Sequence, residues 1–145
     1  MINRRLQGLC FVLGLAFLLG GSVASRADST LYEDLGGKEG LTKIVQYSVD
    51  NYMADPRIRD DLDNINLDRL RSRFFDQFCE LTGGPCKYTG RDMAATHKGL
   101  HLTVAKFNAV VEDLQDAMDK VGISSRTQNR FLALLAPMKS AVVTQ

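Results

Sequence analysis

The stretch GGPCKYTGRDMAATHKGLHLT, residues 83–103, holds both histidines of the chain, His97 and His101. Of the three cysteines, Cys86 lies within it and Cys79 lies just before it. The stretch is rich in glycine and has only a weak apolar pattern, whereas the sequence on both sides is strongly patterned. Long irregular connections in compact domains are usually functional or disordered. The stretch is therefore the first place to look for a site, and the question is whether either histidine holds a metal.

The flanking sequence has the period of α-helices. Apolar residues recur at three- and four-residue steps between positions 41 and 53, 67 and 81, 104 and 121, and 131 and 138, which predicts four substantial helices. A short helix at Leu31–Leu35 is expected before them, ended by Gly36-Gly37. Inside residues 83–103, Met93, His97 and Leu100 are spaced to share one face of a short helix. No segment alternates with period two, so the predicted fold class is all-α.

Glycine, proline and capping residues mark the predicted helix ends. Asp55-Pro56 ends the first long helix, because proline disfavours helical geometry in the residue before it. Gly83-Gly84-Pro85 ends the second, and Gly122 ends the third, which has Thr103 as its expected N-cap. The last helix is expected to begin near Ser124 or Ser125 and to kink or end at Pro137.

The first 27 residues are predicted to be a secretory signal peptide. Arg4 and Arg5 precede an apolar run, residues 9–19, and small residues follow it, which is the order of such a signal. The alternative, an uncleaved membrane anchor, is disfavoured because the run is shorter than the roughly 20 residues that span a bilayer. Cleavage after Ala24 or Ala27 would leave residues 28–145 as a single mature domain, exported to the periplasm and free of the membrane.

Composition and charge fit a globular domain that does not bind nucleic acid. Hydrophobic residues make up 45% of the chain and charged residues 24%, which is the usual globular balance. Without its leader the chain keeps 15 of its 18 basic residues against 17 acidic ones. These charges are interspersed, so the sequence indicates a solvated exterior rather than a basic nucleic-acid surface.

Export would leave two cysteines in an oxidising compartment. Cys79 and Cys86 are separated by a turn that contains Gly83, Gly84 and Pro85, and we expect them to form a disulfide. A loop this short would stabilise the fold by about 2–3 kcal/mol in the chain-entropy model. The alternative is a buried thiol at Cys79 and an unpaired one at Cys86.

The residue pattern alone leaves three interpretations of the histidines open. A zinc site needs three or four protein ligands, and no third partner for His97 and His101 is evident. Haem needs one ligand to iron and an apolar slot. Aromatic stripes also occur in ordinary cores, which is the third interpretation. The walls of a slot would come from the three long helices, at positions Val49, Tyr52, Leu70, Phe74, Phe78, Phe107 and Val111.

Three motifs together resemble the group I truncated haemoglobins: LYEDLGG at residues 31–37, GGP followed by YTGRDM at residues 83–93, and ATHKGL at residues 95–100. The resemblance covers residues 31–142, and the order and spacing of the motifs make it specific. It implies a two-on-two helical sandwich around b-type haem. The proximal ligand of the family falls on His97, and pocket-lining positions fall on Tyr88 and Met93.

The resemblance also assigns roles to charged residues around the slot. His101 falls where the family often has glycine, and its place just before Leu102-Thr103 indicates a surface position at the start of the third long helix. The haem propionates would be paired by basic side chains, for which the candidates are Arg69, Arg71 and Lys98.

The sequence departs from the family on the distal side of the haem. The usual tyrosine and glutamine, which donate hydrogen bonds to the bound gas, are replaced by Val49 and Phe74, and the usual phenylalanine is replaced near Leu62. Losing one such hydrogen bond costs about 1–2 kcal/mol, so oxygen affinity should fall roughly tenfold. Tyr52 lies one helical turn from Val49 on the same face, and we hypothesise that it reaches into the pocket, whereas Tyr47 points elsewhere.

The sequence therefore predicts an exported haem protein that reversibly binds a diatomic gas: oxygen, nitric oxide or carbon monoxide. One alternative is a redox enzyme on the same haem, a nitric-oxide dioxygenase or a peroxidase-like protein, which would need an outside electron donor. The other is a haem-free helical interaction module. Binding is favoured over catalysis.

Overall fold

The computed structural model describes residues 29–145; the predicted signal peptide lies outside them. This part of the chain consists of seven α-helices and two 3₁₀ helices, without a strand. The α-helices are α1 (Leu31–Asp34), α2 (Gly37–Ala54), α3 (Leu67–Leu81), α4 (Met93–His97), α5 (Val104–Val121), α6 (Ser125–Leu135) and α7 (Lys139–Val142). The 3₁₀ helices are Arg59–Leu62 and Ala136–Met138.

The corner between α1 and α2 depends on glycine. Gly36 has φ 88°, a left-handed conformation that glycine adopts without steric cost. Gly40 lies so close to α1 that a Cβ on it would be 2.1 Å from the Leu35 carbonyl oxygen. This close approach lets α2 begin at Gly37, one turn before Leu41, where the apolar stripe begins. The Thr30 side chain caps α1 in a capping box with Glu33.

Two adjoining clusters of side chains form the core. The first joins α1, α2, α3, α5 and α6, and its fully buried members include Leu41, Ile44, Met118 and Phe131. The second joins α2 and α5 with Ile58 and packs against α3. Each fully buried large apolar side chain stabilises the fold by about 1.5–3 kcal/mol. The main layers are the pair α2 and α3 and the pair α5 and α6, with α2 packed most extensively against α5.

Most predicted helix ends are confirmed. Thr103 caps α5, Gly122 ends it in a left-handed conformation, and the chain changes to a 3₁₀ helix around Pro137. The placement of Leu100 on a helix with His97 is wrong, because α4 ends at His97. Gly99 then takes φ 79°, which cannot continue a right-handed helix, and Leu100 is left 45% exposed. The 3₁₀ helix at Arg59–Leu62 was not predicted.

Within residues 29–145, no helix is both long and apolar enough to cross a bilayer.

Candidate functional site

His97 is the last residue of α4 and is half-buried. Its Nδ1 lies 2.7 Å from the Met93 carbonyl oxygen. A carbonyl can only accept, so in this hydrogen bond Nδ1 carries the proton and donates it. A neutral imidazole protonated on Nδ1 has its lone pair on Nε2, and Nε2 has no hydrogen-bond partner among the described residues. The ring is therefore prepared to give an electron pair to a metal through Nε2.

Short-range contacts hold α4 in place although it has only five residues. Asp92 caps it, with Oδ1 accepting a hydrogen bond from the Ala95 backbone at 2.8 Å. The Tyr88 hydroxyl donates to the Arg91 carbonyl at 2.8 Å, so this predicted pocket residue braces the loop before α4. α4 also contacts α7, and beyond these helices Thr144 exchanges two hydrogen bonds with Leu102.

Gln77 is a buried polar residue that was not predicted to belong to the site. It lies on α3, is 8% exposed, and its side-chain nitrogen approaches the Met93 sulfur at 3.6 Å and the Met138 sulfur at 3.9 Å. The signal was present in the sequence, because Gln77 falls three residues after Phe74 in an otherwise apolar stripe. Gln77 thus connects α3, which carries the predicted wall residues Phe74 and Phe78, to α4, which carries His97.

Several large apolar side chains on the stripes of α3 and α5 are only partly covered by protein. Leu70, Phe74 and Phe107 are half-buried, as is Val111. Val104 lies one turn before Phe107 and is 46% exposed. Together with Leu100, these side chains leave apolar surface open to water, which a flat apolar group would cover favourably.

Three other predicted wall residues are already covered by protein. Val49 and Tyr52 are buried in the second core cluster, and Phe78 in the first. Phe74 connects them: its ring stacks on that of Phe78, with centroids 5.5 Å apart, and is perpendicular to that of Tyr52, with centroids 6.2 Å apart. Burial, with the charge of Asp113 nearby, raises the pKa of Tyr52 well above its usual range, so its hydroxyl remains protonated.

The predicted propionate partners differ in their availability. Arg69 and Lys98 are exposed, and neither forms an ion pair with the described residues. Arg71 instead binds Asp50 at 2.9 Å and Asp68 at 3.5 Å. Arg69 and Lys98 are therefore the candidates that keep an unpaired positive charge.

The remaining predicted positions lie away from the imidazole or on the surface. His101 is exposed, as expected, in a left-handed conformation with φ 52°. The Tyr47 ring lies under the Lys120 ammonium group, 4.0 Å from it, so it does point elsewhere. Leu62 is half-buried at the end of a 3₁₀ helix.

The cysteines are paired, which confirms the expected disulfide. The Cys79 and Cys86 sulfurs are 2.04 Å apart, and the bond ties the end of α3 to the loop that leads to α4. The described residues contain no group of three or more histidine, cysteine or acidic side chains placed to hold a metal ion. The zinc interpretation thus lacks a ligand set there, whereas haem requires only the one imidazole and the apolar surface. The residues present fit haem.

Comparison with known proteins also points to a haem-binding family. A family model for bacterial-like globins matches residues 30–144. The group 1 truncated hemoglobin GlbN of Mycolicibacterium paratuberculosis is 29% identical over 116 residues, which cover 80% of this chain and 85% of that protein. The group 1 truncated hemoglobin of Tetrahymena thermophila is 31% identical over 101 residues, which cover 70% of this chain and 84% of that protein.

Solved structures show the same architecture. The truncated hemoglobin of Tetrahymena pyriformis in its Fe(III) form aligns with a TM-score of 0.78 and 26% identity, over 81% of this chain and 100% of that one. The 2/2 hemoglobin of Synechococcus sp. PCC 7002, in its cyanomet state with covalently attached heme, aligns with a TM-score of 0.75 and 23% identity, over 81% of this chain and 100% of that one. The predicted all-α, two-on-two fold is confirmed.

Proposed function

The chain belongs to the bacterial-like globin family, and from that premise we propose that it is an exported protein that reversibly binds oxygen, nitric oxide or carbon monoxide at b-type haem held by His97. The observation that carries the proposal is the 2.7 Å hydrogen bond from His97 Nδ1 to the Met93 carbonyl, because it leaves the lone pair on Nε2. Haem iron, when bound, supplies a coordination position for a diatomic gas.

The chain's own side chains bind and orient the haem. The uncovered apolar surface of Leu70, Phe74 and Phe107 would pack on the macrocycle, and Arg69 and Lys98 would pair with its propionates. On the distal side, Val49 and Phe74 offer no hydrogen-bond donor where relatives in the truncated haemoglobin family commonly carry tyrosine and glutamine. Gas would therefore be held in a mostly apolar pocket, with weaker preference for oxygen over carbon monoxide.

The test is the absorption spectrum of the mature protein in the ferric, ferrous and ferrous carbon monoxide states, beside His97→Ala. The wild type is expected to give a five-coordinate ferrous spectrum that shifts with carbon monoxide, and His97→Ala to lose or alter it. His101→Ala is the matched control, because His101 is exposed, and it should behave as the wild type. A pyridine haemochrome spectrum of b type would identify the haem.

Two outcomes would redirect the proposal. A wild type that shows no haem band even after reconstitution would contradict it and leave the haem-free interaction module. Catalytic turnover with nitric oxide and an added reductant would assign the protein to the redox alternative instead, with an electron donor as its partner.

A further inference from the structure

We propose that Gln77 is a positioning residue for His97 and acts through Met93. The inference rests on the proposed function, because the position of His97 matters only if its imidazole holds haem. It concerns this chain's own residues: an amide on α3, a thioether at the start of α4, and the imidazole at the end of α4.

The first step is that burial of the Gln77 amide needs an explanation. The residue is 8% exposed, so most of its polar side chain has been removed from water at a cost in free energy. The hydrogen-bond partners of its nitrogen among the described residues are two thioether sulfurs, which are weak acceptors. Leucine or methionine at this place would fill similar volume without that cost. An amide is therefore not needed for packing alone.

The second step connects the amide to the imidazole. The Gln77 nitrogen lies 3.6 Å from the Met93 sulfur, and the Met93 carbonyl accepts the hydrogen bond from His97 Nδ1 at 2.7 Å. Both contacts belong to one residue, so fixing the Met93 side chain also fixes the carbonyl that orients the ring. The strength of the Nδ1 hydrogen bond sets the basicity of the metal-binding nitrogen.

The third step is that α4 requires such support. It has five residues, and helices this short are not stable in isolation. Its N-cap, Asp92, fixes the backbone at the start of α4 but does not fix how α4 is rotated about its own axis relative to α3. The contact between Gln77 and Met93 is a direct side-chain link from α3 to this helix, one turn before His97.

The second sulfur provides a matched control. Gln77 also approaches Met138, at 3.9 Å, but Met138 lies in the 3₁₀ helix Ala136–Met138 and has no bond to His97. Replacing Met138 removes a weak contact of the same chemistry without touching the link to the imidazole.

The experiment measures the iron–histidine stretching line of the ferrous, unligated protein by resonance Raman spectroscopy. Gln77→Leu and Met93→Leu are each expected to shift this line in the same direction, and the double variant to shift it no further, because both break one link. Met138→Leu should leave the line unchanged. Loss of haem to excess apomyoglobin should become about tenfold faster in Gln77→Leu and Met93→Leu.

An unchanged line in Gln77→Leu, even with a lower melting temperature, would overturn the proposal, because the amide would then serve stability alone. If Gln77→Leu does not fold, Met93→Leu alone tests the proposal, since it keeps Gln77. An unchanged iron–histidine line in Met93→Leu would likewise overturn the proposal. Should the wild type take up no haem, imidazole nitrogen NMR of the protein as isolated gives the fraction of His97 protonated on Nδ1. Gln77→Leu should lower that fraction, and an equal fraction would overturn the proposal independently of haem.

Discussion

Asp113 of α5 is a buried carboxylate whose loss of hydration is not fully replaced by hydrogen bonds. It is 8% exposed, and its Oδ2 has no hydrogen-bond partner among the described residues. Burial raises the pKa of Asp113 to about 6, and the charges of Asp55, Asp116 and Glu112 add to this, while Arg57 opposes it. The folded protein thus retains this proton to higher pH than an unfolded carboxyl with a pKa of 3.8. The free energy of unfolding should therefore fall as the pH rises from 3.8 to about 6, and the loss should be complete above about pH 6.

Asp113→Asn should remove this pH dependence. At pH 8 the variant is expected to raise the free energy of unfolding by about 1–3 kcal/mol, because it replaces a buried charged oxygen that lacks a partner. Near pH 4 it should match the wild type, since Asp113 is then largely protonated in the folded state. Urea denaturation at both values measures the effect. Asp63→Asn is the control, because Asp63 is exposed and is not among the charges that act on Asp113. A gain in Asp113→Asn that is equal at both pH values would contradict the role of the Asp113 charge.

We hypothesise that the Tyr52 hydroxyl compensates for the apolar distal pocket. Its ring is perpendicular to that of Phe74, with the centroids 6.2 Å apart, and Phe74 is the position predicted to replace the family's glutamine. Tyr52→Phe is expected to raise the oxygen dissociation rate about tenfold, as the loss of one hydrogen bond predicts. Stopped-flow measurement on the ferrous protein checks it, with Tyr47→Phe as the control. A rate that Tyr52→Phe leaves unchanged would remove this hydroxyl from the pocket.

Among the secondary-structure elements, the long helices and the short helices α1 and α4 could be predicted, whereas the 3₁₀ helix Arg59–Leu62 and the exact end of α4 could not. The stripes of α3 and α5 bury one face each, so their period appears in the sequence, and Thr103 and Gly122 mark the ends of α5. The 3₁₀ helix Arg59–Leu62 has no fully buried residue and leaves no such period. The apolar spacing predicts a later end for α4, but the backbone leaves the helical conformation at Lys98, with ψ 124°, and Gly99 follows with φ 79°.

The candidate site was likewise predictable only in part. His97 could be predicted from a motif. Gln77 could not, because a polar residue in an apolar stripe does not show which other side chain it will contact. Its contact with Met93 spans 16 positions and depends on how α3 and α4 cross. Val104 begins the apolar stripe that predicts α5, yet it is 46% exposed.

The N-cap of α4 allows a prediction about this element. Asp92→Ala removes the side chain that accepts from the Ala95 backbone, which costs about 1 kcal/mol of helix stability. Because α4 carries His97, haem should dissociate several-fold faster, as measured by transfer to apomyoglobin. Thr103→Ala removes the equivalent cap of α5, which accepts from Lys106, and is the matched control. It should lower the melting temperature without a comparable change in haem loss; equal rates in both variants would show that α4 is held by other contacts.

At the scale of the whole molecule, the disulfide and the proposed export depend on each other. A bond between Cys79 and Cys86 persists in an oxidising compartment and is rare in the cytosol. The predicted leader, residues 1–27, would carry the chain to such a compartment. Reduction should lower the free energy of unfolding by about 2–3 kcal/mol, so a chain retained in the cytosol would have a less stable connection between α3 and the helix of His97.

Expression of the full chain in a bacterium tests both properties in one preparation. Mass spectrometry of the periplasmic fraction after alkylation should find a protein that starts after Ala24 or Ala27, with Cys79 and Cys86 unmodified because they are paired. A variant with Leu13→Arg and Leu15→Arg interrupts the apolar run of the leader and serves as the control. It should stay in the cytosol at full length, with Cys79 and Cys86 both alkylated. A wild type that also stays there at full length would contradict export, and a periplasmic protein with alkylated cysteines would contradict the disulfide alone.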